Sequence, residues 1–370
     1  MAQTIFGLND AKAVKRWSAA LMVDQAREGY YSTRFMGKGE NAATPIQILT
    51  NLERDAGDTI KYDLRAQLRN EPVYGDARQE GTEEDLRFFS DEISIDQVRC
   101  GVNGGGRMTR KRILHDLRSI AKSAMAEWWG RYSDEQISSY LSGARGSDPD
   151  FIHSTAFAGF ANNAFQAPDA QHTLFGGNAT AINNISSDDV FNLGLVDRAA
   201  TKAKTMGGGS TRRARLRPIR IDGEDRFVLV MHPFQSHDLR INTATGQWFD
   251  IQKAAAAAQG QGNPIFKGTL GMYRGVILHE HEHAIRFNNW GADSLQPGAR
   301  ALFLGRQAGV MAFGSPGSGL RFDWHEEMRD NGNELVIASS TIMGIKKTRF
   351  NGEDFGVLSL NTFAADPNPA

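Results

Sequence analysis

Histidine and glutamate alternate in His279-Glu280-His281-Glu282-His283. On a strand every second side chain shares a face, so this spacing puts His279, His281 and His283 on one side. Imidazoles set out in that way can hold a transition metal, with a carboxylate from elsewhere in the chain completing the site. The same residues also suit the polar face of an exposed or interface strand. A metal-dependent hydrolase or oxidoreductase needs further ligands, and His232, His237 and His325 stand at no spacing that joins them to the run.

Four other stretches carry reactive or charged side chains. Gly101-Val102-Asn103-Gly104-Gly105-Gly106-Arg107-Met108 lies between a strand pattern and a helix pattern, where a phosphate-binding loop would lie. Arg107 stands where that loop needs lysine, and Met108 where it needs a hydroxyl for magnesium, so the run reads as a joint before a helix. Arg213, Arg215 and Arg217 alternate onto one face of a predicted strand that could touch phosphate, although Asp222, Glu224 and Asp225 offer ion partners nearby. The acidic cluster Glu80, Glu83, Glu84 and Asp85 lacks the calcium-loop pattern and reads as a patch complementary to basic residues on another subunit. Cys100 is the single cysteine and has no partner for an internal disulfide. No G-x-S-x-G, H-E-x-x-H or kinase-type set is present.

The elements that must position these residues centre on Arg107–Leu141. Ile113, Leu114, Leu117, Ile120, Ala121, Ala124, Met125 and Trp128 recur in steps of three and four, one stripe of an α-helix. Unbroken, about 35 residues would span roughly 50 Å. Gly130 and the capping-box pattern Ser133-Asp134-Glu135-Gln136 mark a place where the helix could break and restart. Before it, Thr59–Leu64 and Leu86–Val98 read as strands joined by a long charged segment, a projecting hairpin with little of its own body to rest on. Residues 1–44 read as an arm with one helix. After the long helix, Gly143–Asp188 shows neither period but carries Phe151, Phe157, Phe160, Phe165 and Phe175, which suits packing against a neighbouring subunit. Further helices are predicted over Ser187–Met206, from Pro233 through Leu239 and over Thr245–Ala258. Strands are predicted over Arg212–Ile221, Arg226–Met231, Met272–Ile285, Arg321–Arg329, Glu334–Ser340, Ile342–Phe350 and Phe355–Leu360.

The 370 residues are 40% hydrophobic and 23% charged, ordinary for a globular protein, with a formal net charge of -1. Such a balance gives no global drive toward nucleic acid and argues against a sequence-reading DNA binder. No apolar run reaches membrane-spanning length, and the N-terminus lacks the apolar core of a signal peptide.

Several short runs occur in a specific order: Asp55-Ala56-Gly57-Asp58-Thr59-Ile60, Tyr74-Gly75-Asp76, Glu80-Gly81-Thr82-Glu83-Glu84-Asp85-Leu86 and Ile95-Asp96-Gln97-Val98-Arg99. They are followed by Asn263-Pro264-Ile265-Phe266, Gly271-Met272-Tyr273, His279-Glu280-His281 and Phe350-Asn351-Gly352-Glu353-Asp354-Phe355-Gly356. Together with the order of arm, hairpin, long helix, mixed unit and closing strands, this resembles the major capsid proteins of tailed bacteriophages. The resemblance implies an α+β, Hong Kong 97-type fold. It implies an N-terminal arm and first strand (1–54), an extended hairpin loop (55–100), and a peripheral domain (101–189) with its spine helix at 107–141. An axial domain (190–320) and closing strands that return to the peripheral domain with the C-terminal tail (321–370) complete the expected division. Hexamers and pentamers would tile an icosahedral head around double-stranded DNA, held by weak non-specific contact, in the virion after assembly in the host cytoplasm. Tyr74, Asp76, Glu80, Glu83, Glu84, Asp85, Arg213, Arg215 and Arg217 would be assembly contacts. No cofactor, catalytic residue or membrane is expected. The short arm suggests no proteolytic processing and a separate scaffolding protein, with a portal and possible decoration protein as further partners. The competing class is a soluble metal-dependent enzyme using His279, His281 and His283.

Overall fold

The computed structural model describes residues 11–39, 43–53, 56–65, 68, 70–86, 88–112, 116–206, 215–221, 223–241, 269–315 and 320–368. The expected helix over Thr245–Ala258 and Arg213 lie outside these residues.

The chain opens with helices α1 (Ala11–Glu28) and α2 (Tyr30–Arg34), then strands β1 (Met36–Lys38) and β2 (Ile46–Leu49). The hairpin strands β3 (Thr59–Arg65) and β4 (Phe88–Ser94) pair antiparallel from Thr59↔Ser94 to Arg65↔Phe88. Strand β5 (Asp96–Asn103) leads into helix α3 (Arg107–Arg112) and the long helix α4 (Leu117–Ser142). The following loop carries β6 (Gly159–Phe160), β7 (Asn163–Ala164) and β8 (Thr173–Phe175) before helix α5 (Leu193–Thr205). Then come β9 (Ile219–Ile221), β10 (Glu224–Met231), helix α6 (Pro233–Ile241), β11 (Thr269–Tyr273), β12 (Val276–Glu280), β13 (Arg286–Trp290), β14 (Gln296–Leu304) and β15 (Gly309–Gly314). The chain closes with β16 (Phe322–Arg329), β17 (Glu334–Lys347), β18 (Arg349–Phe350), β19 (Glu353–Asp354) and β20 (Val357–Phe363).

Two large sheets result. The six-stranded sheet runs β1-β2-β15-β17-β16, with β5 also on β17. The eight-stranded sheet runs β11-β12-β10-β14-β20-β8, with β9 on β10 and β13 on β14. Buried Leu21 of α1, Met125 and Trp129 of α4, and Trp324, Ile337 and Ile345 belong to one apolar core that also takes in Val228, Ile277 and Leu302 of the second sheet. Val196 and Ala199 of α5, Leu239 of α6, and Leu229, Leu278, Phe303 and Leu360 form another on the second sheet. The closing strands therefore divide. β16 and β17 join the first sheet, whereas β20 pairs with β14 along Gly298↔Phe363 to Leu304↔Val357.

Helix α4 differs from its sequence reading at both of the expected landmarks. It begins at Leu117, with Asp116 accepting the Arg118 N–H at 3.1 Å as its N-cap, and it ends at Gly143, whose φ of +72° suits glycine. It passes straight through Gly130. A side chain there would meet Glu28 Cβ at 2.9 Å and Gly29 N at 3.3 Å, so the glycine marks a close crossing with the α1–α2 junction. The capping box does not form. Ser133 Oγ donates to Trp129 O at 2.8 Å, and Asp134 accepts the backbone N–H groups of Tyr30 (2.7 Å) and Tyr31 (3.0 Å). Asp134 thus supplies the cap that Gly29, the side-chain-less N-cap of α2, cannot. The buried stripe is rotated too: Ala121, Met125, Trp129 and Tyr132 face inward, while Ile120 and Ala124 are exposed.

The aromatic loop after α4 folds onto its own chain. Tyr140 Oη accepts the Phe160 N–H at 2.8 Å and donates to Asn163 O at 2.9 Å; its ring meets Phe165 edge-on. His153 stacks on Phe157 with centroids 3.8 Å apart. The N-terminal arm is likewise part of the body: Trp17 of α1 stacks on Trp324 of β16 at 5.7 Å.

Candidate functional site

The hairpin strands pack on the first sheet, with Ile60 and Ile93 buried beside Val310 and Ala312, and the charged tip beyond them is exposed. Tyr74, Asp76, Glu80, Glu83 and Asp85 are exposed, and Glu84 is partly covered. Some of these acids have local work: Arg78 pairs with Glu80, Glu83 accepts the Gly81 N–H at 2.7 Å, and Glu84 accepts the Asn70 N–H at 3.0 Å. The tip also carries apolar side chains in water that sequence reading did not single out. Tyr74 is 80% exposed, Phe88 60%, and Leu68 and Leu86 are both well exposed. Each such side chain gains about 1.5–3 kcal/mol when buried, so the hairpin has a reason to seek a partner surface. The signal in the sequence was these apolar residues within a run too charged to have a core.

The arginine run does not form the expected strand face. The strand starts only at Ile219, so Arg215 and Arg217 lie before it, both exposed. Arg217 lies over the Phe355 ring at 5.8 Å, and Arg220 pairs with Asp225 at 3.2 Å. Gly104–Gly106 is the joint expected: the Gly104 N–H bonds Leu335 O at 2.7 Å, and Asn333 Oδ1 accepts the Arg107 N–H at 3.1 Å. Cys100 sits on β5, where burial pushes its thiol up and away from reactivity.

The histidine run is not one strand. β12 ends at Glu280, where its pairing with β10 stops at Met231↔Glu280. The His281 N–H bonds Met231 O at 3.0 Å, and a turn follows, with the Ala284 N–H on His281 O at 3.2 Å. His279 is buried, its Nδ1 2.9 Å from Tyr30 Oη and its ring edge-on to Phe35. His281 lies against the Tyr30 ring at 4.1 Å and 4.9 Å from the His283 ring. His281 and His283 meet Asp134, and the potential ligand atoms of these three all fall within 4.8 Å of one another. The carboxylate that meets the two histidines is Asp134 of α4, and His279 is not in the group. Burial, then the neighbouring His283, holds His281 down at about 3, and burial likewise lowers His283, so burial favours the neutral form of both rings. Burial pushes Asp134 up to about 7, against the pull of the Tyr30 and Tyr31 N–H groups. The group opens into a pocket of about 780 Å³ that also meets Glu28, Arg34, Arg131 and Glu282.

The geometry therefore offers an exposed hairpin tip that carries apolar side chains and a helix-backed two-sheet body. Comparison with known proteins agrees with it. Residues 5–366 match the family model described as phage capsid protein. The major capsid protein of Pseudomonas phage KPP25 is 28% identical, with 95% of each chain covered. The capsid structure of Ralstonia phage GP4 superposes with a TM-score of 0.87 at 48% identity over 100% of both chains. That of cyanophage Pam1 gives 0.66 at 22% identity, covering 89% of this chain and 91% of its own, a likeness of fold. The architecture is the expected Hong Kong 97-type α+β fold, and the chain belongs to the phage capsid protein family, as a shell-forming major capsid protein of a phage.

Proposed function

We propose that the chain forms hexamers and pentamers that close an icosahedral head around double-stranded DNA, with residues 68–88 as the arm laid across a neighbouring subunit. The observation that carries this reading is the exposure of Leu68, Tyr74, Leu86 and Phe88 at the far end of a hairpin whose base is packed on the first sheet through Ile60 and Ile93. Burying the exposed side chains on a neighbour would supply apolar contact, and the acids Asp76, Glu80, Glu83 and Asp85 would steer it toward basic residues such as Arg215 and Arg217. In this reading the six-stranded sheet with α4 is the peripheral unit, and the eight-stranded sheet with α5 and α6 is the axial unit near the symmetry axes. β20 then belongs with the axial sheet, a refinement of the division drawn from sequence.

A net charge of -1 suits a container that touches packaged DNA weakly. A separate scaffolding protein, a portal and a decoration protein would complete the particle, assembled in the host cytoplasm. The three-histidine strand face of the metal-enzyme reading is not formed, since a turn follows Glu280, and the family match supports the shell reading instead. Co-expression with the phage's scaffolding protein, followed by electron microscopy, tests the proposal. Closed shells are expected from the wild-type chain, and shell formation unimpaired by removal of residues 68–86 would refute the role of the arm.

A further inference from the structure

We propose that Asp134, His281 and His283 bind a divalent transition cation of the Zn²⁺ class, which ties helix α4 to the turn after β12. Imidazole and carboxylate donors are the set that borderline cations such as Zn²⁺ take, with the remaining positions left to water from the open pocket.

Two observations support the site independently of the donor count. His283 Nδ1 is buried and has no hydrogen-bond partner among the described residues, although an orphaned buried nitrogen costs about 1–3 kcal/mol. Its Nε2 is on the other edge of the ring, 3.8 Å from Glu282 Oε1, within reach of a hydrogen bond if the Glu282 side chain turns toward it. The nearby cations are occupied. Arg34 lies over the Tyr30 ring at 4.4 Å, and Arg131 pairs with Glu135 at 2.8 Å.

Coordination is compatible with the contacts already made. The Asp134 oxygens each accept one backbone N–H, and a carboxylate oxygen keeps a second lone pair for a metal. The His283 N–H reaches His281 Nδ1 at 3.3 Å, near the long limit of a hydrogen bond, and ligation by His281 replaces that contact. Donors within 4.8 Å must draw together by about 1 Å to reach bonds of about 2.0–2.2 Å. The turn that carries both histidines can supply that movement. Because α4 packs on the first sheet and β12 is part of the second, the ion would fasten the two together.

The test uses the full chain, stripped with EDTA and dialysed. Calorimetric titration with Zn²⁺ should show one ion per subunit, and Co²⁺ should develop visible d–d absorption of an imidazole-bound centre. His283→Gln and His281→Phe, the latter keeping a ring against Tyr30, should each weaken Zn²⁺ binding by more than about tenfold. His325→Gln, at an exposed position on β16, should not. Absence of Zn²⁺ binding by the wild-type chain, or binding that survives His283→Gln, overturns the proposal. The wild-type titration decides even if a variant folds poorly.

Discussion

Lys347 Nζ lies 2.8 Å from Asp354 Oδ2, and neither side chain has any exposed surface. Lys347 ends the long strand β17 of the first sheet. The Asp354 N–H in turn donates to Asp169 Oδ2 at 2.8 Å, and Asp169 receives His172 Nδ1 just before β8 of the second sheet. This buried ionic chain therefore sits where the polypeptide crosses between sheets. Arg349 Nε also lies 3.1 Å from Asp354 Oδ1, so loss of Lys347 still leaves Asp354 a cationic partner. Lys347→Met should destabilise the subunit by about 1–3 kcal/mol, whereas Asp354→Leu, which strands both Lys347 and Arg349, should cost about 3–5 kcal/mol. Denaturant unfolding of the free subunit measures both.

Asp169 makes the same region sensitive to acid. Burial alone would raise its carboxyl, but hydrogen bonds from the His172 ring and from the His172 and Asp354 N–H groups hold it well below the usual range. A carboxyl depressed in the folded state binds fewer protons there than in the unfolded chain, whose value is about 3.9. Its stabilising contribution is complete above that value and is lost as pH falls toward the folded one. Asp169→Asn should lower stability at pH 7 and flatten the acid limb of the unfolding midpoint plotted against pH below about 4.

Two glycines with similar backbone angles should respond differently to alanine. Gly143 has φ of +72° and ends α4, and a Cβ there would meet Gln166 O at 2.0 Å. Gly352 has φ of +77°, and nothing lies within 4 Å of its Cβ position. Gly352→Ala should cost only the left-handed strain, about 1–2 kcal/mol. Gly143→Ala should cost more than that, because backbone must move as well. Thermal unfolding of the two variants side by side gives the comparison.

The hairpin should separate assembly from folding. Tyr74→Ser with Phe88→Ser removes exposed side chains, so the subunit's own stability should change by no more than about 0.5 kcal/mol. The yield of sedimenting shells should fall severely. Charge reversal at Glu80, Glu83 and Asp85 should slow assembly and weaken its dependence on salt, since these acids are placed to steer encounter. Light scattering during assembly reads both effects.

Much of the architecture was legible in local pattern, and its exceptions have tertiary causes. The hairpin was visible because charge and extended pattern alternate over a long stretch, and its strands pair as expected. The break assigned to Gly130 was misplaced because glycine and a capping box look like a helix start, whereas here they serve the α1–α2 junction packed against them. The sequence pattern over 334–350 predicts two strands parted at Thr341. β17 is continuous, pairing with β16 up to Thr341 and with β15 from Ile342 onward. The turn after Glu280 has no glycine or proline to announce it; it arises where β10 runs out as a partner. Asp134 could not be joined to His281 and His283 from spacing, since 147 positions separate Asp134 from His281 and only the packing of α4 brings them together.

The most direct test of the shell-subunit account is cryo-electron microscopy of assembled particles at side-chain resolution. The account predicts closed icosahedral shells in which residues 68–88 of each subunit lie on a neighbour, with Tyr74 and Phe88 buried in the contact. Shells in which that hairpin stands free in solvent, with Tyr74 and Phe88 touching no other subunit, would contradict it.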